Sequence, residues 1–121
     1  MASVKFRFED FEIWRMAIEV ADLLFDVADE LEAKKLYRFA EQLRGAGLSA
    51  PNNIAEGSGS ASKREFSQFL NIARRSTFEN ANMLIVLNRR NLINGTRRDQ
   101  ILERLDHLSR KITSFQRTLR A

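Results

Sequence analysis

Apolar and polar positions alternate along the chain at helical spacing, and they do so in four separate runs. In the first, Phe11, Trp14, Ala17, Ile18, Ala21, Phe25 and Ala28 recur three or four residues apart, while Glu12, Glu19, Asp22, Asp26 and Glu30 take the other side. This predicts a helix from about Asp10 to Leu31, with Asp10 as its N-cap. A turn around Glu32 to Lys34 leads to a second run, Leu36, Phe39, Ala40, Leu43, Ala46, Ala50 and Ile54, which ends near Gly57 where Ser58-Gly59-Ser60-Ala61-Ser62 has loop composition. Pro51 falls inside this run. Its ring presses on the carbonyl of Gly47, where a glycine can relax, so the expectation is one kinked helix rather than two.

The third run opens with Ser62-Lys63-Arg64-Glu65, a capping box directly before Phe66, and reaches about Asn91, with Asn94-Gly95 as the stop signal. Thr96 then caps a fourth helix, with Asp99 at its third position and Ile101, Leu105, Leu108, Ile112, Phe115 and Leu119 as its stripe. Four such helices joined by short loops make an all-α, antiparallel up-and-down four-helix bundle with a kinked second helix. Residues 1–121 form a single domain, since no repeat or composition break divides them.

Composition narrows the picture further. With 1 proline and 5 glycines, the chain lacks the turn signals of a many-stranded sheet, and with 44% hydrophobic and 30% charged residues it is neither disordered nor membrane-spanning. No cysteine is present, which excludes a disulfide framework, a thiolate nucleophile and a cysteine-type zinc site. The opening residues show no signal-peptide run, so the expected location is cytoplasmic.

The net charge of +4 conceals an asymmetry. Residues 1–62 carry 7 Lys/Arg against 11 Asp/Glu, whereas residues 63–121 carry 13 against 5, and 11 of those 13 cations are arginine. Arginine suits bidentate phosphate contact and stacking on bases, so Arg64, Arg75, Arg89, Arg90, Arg97 and Arg98 are the candidate nucleic-acid contacts. The competing reading is a solvated surface on which the acidic first helix balances the basic ones.

Two further patterns point outward. Phe78, Ile85 and Leu92 recur every seven residues on the third helix, well away from its core stripe, and are the candidate subunit interface. On the second helix, Arg38, Gln42, Ser49, Asn53 and Glu56 form a polar stripe beside the apolar face, where amides and hydroxyls must be hydrogen-bonded to fix register or meet another chain. A catalytic inventory is thin. His107 is the one histidine, with Glu103 a turn before it and no second Glu-x-x-His pair, and no glycine-rich phosphate loop follows a strand.

The stretch Gln42-Leu43-Arg44, then Leu48-Ser49-Ala50-Pro51-Asn52-Asn53-Ile54-Ala55-Glu56-Gly57, followed by Ser62, Glu65-Phe66 and Phe69-Leu70-Asn71-Ile72-Ala73, resembles the bacterial four-helix-bundle proteins encoded in 23S rRNA intervening sequences. The Phe11-Glu12-Ile13-Trp14 opening of the first helix is similar too, and the resemblance covers nearly the whole chain. More distantly, the chain resembles the accessory variability proteins of diversity-generating retroelements, pentameric barrels that bind nucleic acid and a reverse transcriptase. The resemblance implies a homopentamer with no established enzymatic activity, and it marks Arg44, Ser49, Pro51, Asn53, Glu56 and Gly57 as family motif positions. Together these readings lead to the expectation of a non-enzymatic, oligomeric nucleic-acid-binding module, RNA foremost, that uses no metal or cofactor. The alternative is a protein-interaction scaffold without nucleic-acid binding.

Overall fold

The computed structural model describes residues 3–120. A short 3-10 turn, Arg7–Asp10, precedes four α-helices: α1 Glu12–Ala33, α2 Tyr37–Ser58, α3 Lys63–Arg89 and α4 Gly95–Thr118. Each helix packs on its neighbours in sequence and α4 closes against α1, so α1 and α3 occupy diagonal corners of a square four-helix bundle. Leu24, Leu31, Leu43, Ile54, Leu70, Leu84, Leu108 and Ile112 are wholly buried at its centre, drawn from all four helices. Each such side chain contributes about 1.5–3 kcal/mol by leaving water, which makes the apolar stripes the principal source of stability. Phe39, placed in the second stripe by its spacing, is 44% exposed, because it sits in the first turn of α2 at the edge of the buried arc.

The helix ends differ from the sequence expectation in three places. Asp10 does not cap α1: it lies in the 3-10 turn, its carboxylate pairs with Lys5 at 2.6 Å, and Phe11 holds the cap position with no side-chain bond. Asn94-Gly95 is a start rather than a stop, since the Asn94 side chain accepts the Arg97 amide at 2.8 Å and so replaces Thr96 as the N-cap of α4. The stop lies earlier. Asn91 takes φ 60, and the Leu92 amide donates to the Leu87 carbonyl at 2.9 Å while that of Asn91 donates to Asn88 at 3.0 Å. This Schellman turn is repeated at the end of α1, where Lys35 takes φ 64 and Leu36 donates to Leu31 at 2.9 Å. Ser62 caps α3 as expected, accepting the Glu65 amide at 3.1 Å, and among the described residues this is the only half of the predicted capping box that forms.

α2 continues unbroken through Pro51, as one helix. Gly47, however, answers to a different neighbour. A methyl at Gly47 would meet Leu24 Cδ1 of α1 at 3.2 Å, so its small size serves the α1–α2 contact. At the end of α2, a methyl on Gly57 would lie 2.7 Å from Phe69 Cβ and 2.9 Å from Phe66 Cδ1, which leaves room for hydrogen alone. Arg7 covers this end: it donates to the Ser58 carbonyl at 2.8 Å and lies over the Phe11 and Phe66 rings, which cluster with Phe115.

Candidate nucleic-acid and subunit interface

At about 100° per residue, Arg64, Asn71, Arg75, Asn82 and Arg89 fall within about 40° of one another on α3. All five are exposed, on the side of α3 that faces away from the bundle. From Arg64 to Arg89 the strip runs about 37 Å, at 1.5 Å per residue. Among the described residues, Arg64, Arg75, Arg89 and Arg90 form no ion pair within the chain. Their charge is therefore presented to solvent, in a row broken by Glu79 alone on the outward side.

Arg97 and Arg98 are placed differently. Arg97 reaches across to the Glu30 carboxylate of α1, and Arg98 bonds the Asp99 carboxylate at 2.8 Å and the Asn88 side-chain oxygen. Both guanidinium groups are about one-third exposed and hold the α3–α4 turn against the rest of the bundle. Arg104 and Lys111 likewise reach α1, at Glu19 (3.6 Å) and Glu12 (3.1 Å), so α4 carries a ladder of cations at seven-residue spacing against α1. Part of the basic half thus neutralises the acidic first helix, and the free part is concentrated on α3.

Apolar side chains flank the arginine strip on both sides. Phe78 is 63% exposed and Ile85 43%, towards α4, where a shallow groove of about 210 Å³ is bordered by Phe78, Ala81 and Leu102. Leu92, the third member of the predicted line, is not with them: α3 has ended at Arg89, and Leu92 folds back against the core as the closing residue of the Schellman turn. On the other flank lie Ile72 (44% exposed) and Val86 (42%), which the sequence pattern did not single out. Spaced 14 residues apart, they stand two heptads from each other on one line of the helix, and that spacing was the available signal.

The polar stripe of α2 resolves into two groups. Ser49 and Asn53 face α3: the Ser49 hydroxyl bonds that of Ser76 at 2.7 Å, and Asn53 Nδ2 donates to the Ser49 carbonyl at 2.8 Å. Arg38, Gln42 and Glu56 point to solvent. Of the other motif positions, Arg44 leans the opposite way, to Asp29 (2.8 Å) and Glu32 (2.9 Å) of α1, and these hydrogen bonds raise its pKa above the usual guanidinium value. Pro51 and Gly57 are buried. Apart from Glu56, then, the motif positions are buried or bonded within the bundle, Ser49 and Arg44 to neighbouring helices and Asn53 to Ser49 of its own.

Three polar residues of α3, Ser76, Thr77 and Asn80, are buried and were not foreseen as a group. Ser76 and Thr77 return their hydroxyls to the carbonyls of Ile72 and Arg74, whereas Asn80 Oδ1 has no hydrogen-bond partner among the described residues. A cleft of about 650 Å³ lies along the α1–α4 seam, bordered by Glu12, Glu19, Arg104 and His107. Among the described residues no group of three or more His, Asp or Glu side chains is gathered to hold a metal ion. No described helix is long and apolar enough to cross a membrane.

The family described as 23S rRNA-intervening sequence protein matches residues 9–114. Among solved structures, the chain is similar to a protein of unknown function from the S23 ribosomal protein family of Bacteroides thetaiotaomicron VPI-5482. The TM-score is 0.80 at 22% identity, over 86% of this chain and 97% of that one. At that identity the likeness concerns the fold. No curated protein matches the chain.

Proposed function

The chain belongs to the 23S rRNA-intervening sequence protein family, and from that premise we propose that it is a non-enzymatic, homo-oligomeric module of the cytoplasm that binds nucleic acid, RNA foremost, along α3. One observation carries the reading: Arg64, Arg75 and Arg89 line up on one exposed face and, among the described residues, form no ion pair, while the cations of α4 that face α1 are paired. Phosphates met by such a row release counterions, and the flanking Phe78 offers a ring on which a base can stack. The same exposed apolar side chains, Phe78 and Ile85, support association into an oligomer, for which the family resemblance suggests five subunits.

Fluorescence anisotropy of labelled single-stranded RNA, and of duplex DNA of matched length, tests the reading across a salt series. Binding strengthens as salt falls, and Arg75→Ala with Arg89→Ala flattens the log–log slope by roughly one unit for each phosphate that no longer meets a guanidinium. Wild-type protein that binds neither probe at ~50 mM salt refutes it, because non-specific attraction is greatest there. The scaffold reading, favoured by the exposure of Phe78, Ile72 and Val86, then takes its place.

A further inference from the structure

We propose that the end of the bundle formed by the α1–α2 and α3–α4 turns is a platform on which unpaired bases stack, with Tyr37 and Phe39 as its rings, so that the protein selects single-stranded over duplex RNA. The inference rests on the nucleic-acid reading above, whose arginine row is indifferent to strandedness, and adds the contact that meets bases.

The two turns adjoin. Lys34, which follows α1, and Asn91 and Asn94, which join α3 to α4, border one open depression of about 460 Å³. The acids closest to it in sequence are already committed: Asp29 and Glu32 to Arg44, Glu30 to Arg97 and Asp99 to Arg98. Lys34, Lys35, Arg38, Arg89 and Arg90 are exposed and, among the described residues, form no ion pair. Glu41, one turn into α2, is the acid left free beside them. Positive charge is thus available to an anion here, and it continues the row that α3 delivers at Arg89.

The rings stand on α2. Tyr37 is 57% exposed and Phe39 44%, in a first turn that no side chain caps. At seven-residue spacing, Tyr37 is in line with Arg44, which reaches α1, and Phe39 with Ala46, which borders the groove to α3. The rings therefore lie on either side of the outward Arg38, with Phe39 nearer to α3. A strand that leaves α3 past Arg89 and Arg90 brings its next base to Phe39 and a following one to Tyr37, while Lys34, Lys35 and Arg38 meet its phosphates. A ring can cover the face of a base only where the strand is unpaired, because in a duplex the neighbouring pairs occupy both faces. Phe78 and Ile85 lie on the α4 side of α3, so association of subunits through them leaves the rings of α2 open.

Fluorescence anisotropy of the full chain with labelled single-stranded RNA, duplex RNA and an abasic strand, all of equal length, tests this, with circular dichroism to verify folding. Tyr37→Ala with Phe39→Ala weakens single-strand binding about tenfold or more and changes the other two probes by less than about twofold, with the salt slope unaltered because the phosphate contacts remain. Tyr37→Trp with Phe39→Trp restores single-strand affinity. A second readout needs no variant. Tyr37 is the one tyrosine of the chain, so tyrosine-labelled wild type gives a single set of ring signals, which single-stranded RNA moves upfield and duplex RNA leaves in place. Equal losses on all three probes, or unmoved Tyr37 signals in a protein that binds RNA, overturn the platform and leave the α3 row standing. Binding to none of the probes at ~50 mM salt overturns both. Phosphatidylserine vesicles that move the Tyr37 signals where single-stranded RNA does not assign this end to a lipid surface and overturn the proposal.

Discussion

Ser49 and Ser76 share a hydrogen bond of 2.7 Å across the α2–α3 seam, and its polarity can be assigned from their neighbours. Ser76 already donates to the Ile72 carbonyl at 2.9 Å, so its single proton is engaged and Ser49 is the donor between the two hydroxyls. Asn53 Nδ2, 3.3 Å from Ser49 Oγ, donates to it in turn. The result is a one-way chain of donors from α2 into the backbone of α3. A double-mutant cycle of Ser49→Ala and Ser76→Ala in urea should give a coupling of about 0.5–1.5 kcal/mol. Additive losses would mean that the two hydroxyls act independently.

The three glycines of α2 should respond to alanine in three ways. Gly45→Ala meets nothing within 4 Å, so helix propensity dominates and the isolated subunit gains about 0.5–1 kcal/mol. Gly47→Ala sets a similar gain against a 3.2 Å contact with Leu24 and comes out near neutral, whereas Gly47→Val costs about 1–3 kcal/mol. Gly57→Ala collides with the Cβ of Phe69 at 2.7 Å, an atom fixed to the backbone, and destabilises. Thermal unfolding of the series ranks them, and an ordering with Gly57→Ala above Gly45→Ala would contradict the packing described.

Lys35 ends α1 with φ 64, a conformation that L residues other than asparagine rarely adopt. Lys35→Gly should therefore raise stability by up to about 1 kcal/mol, while Asn91→Gly at the matching turn of α3 changes little. Denaturation midpoints distinguish the two.

Arg97 and Arg75 should separate stability from binding. Arg97→Ala removes the tie to Glu30 and costs no more than about 1 kcal/mol, with little change in RNA affinity at low salt. Arg75→Ala leaves unfolding unchanged and weakens binding. The reverse pattern would move the nucleic-acid surface to the α3–α4 turn.

The Asp10 carboxyl titrates below the ordinary 3.8, because it accepts a hydrogen bond from Lys5 and sits next to that charge. The pairing contributes fully above the ordinary value and disappears as pH falls through the depressed one. NMR titration should show this, and Lys5→Ala should return the midpoint towards 3.8.

Helix existence and the buried stripes were legible because burial follows the 3.6-residue period, which leaves its mark on every turn. Helix ends were less so. Asn91 and Asn94 are the same residue type three positions apart, yet one terminates α3 in a left-handed turn and the other caps α4. Local composition cannot separate these two roles, since both use asparagine's tolerance of non-helical backbone. Gly47 was read against Pro51 of its own helix, but its contact lies on α1, a tertiary fact invisible to spacing. The arginine strip was visible as a pattern. Which arginines remain unpaired was not, because Arg97 meets Glu30 from 67 residues away.

The ladder that joins Glu12 to Lys111 and Glu19 to Arg104 also sets an order of events. Every other seam unites helices that are adjacent in sequence, so α1, α2 and α3 can zip as successive hairpins while α4 is still being synthesised. The final seam links the two ends of the chain and relies on charge as well as apolar contact, so its closure is the late step of folding and the earliest to reopen. Amide protons of α4 should then exchange before those of α2, with a gap that widens as ionic strength rises.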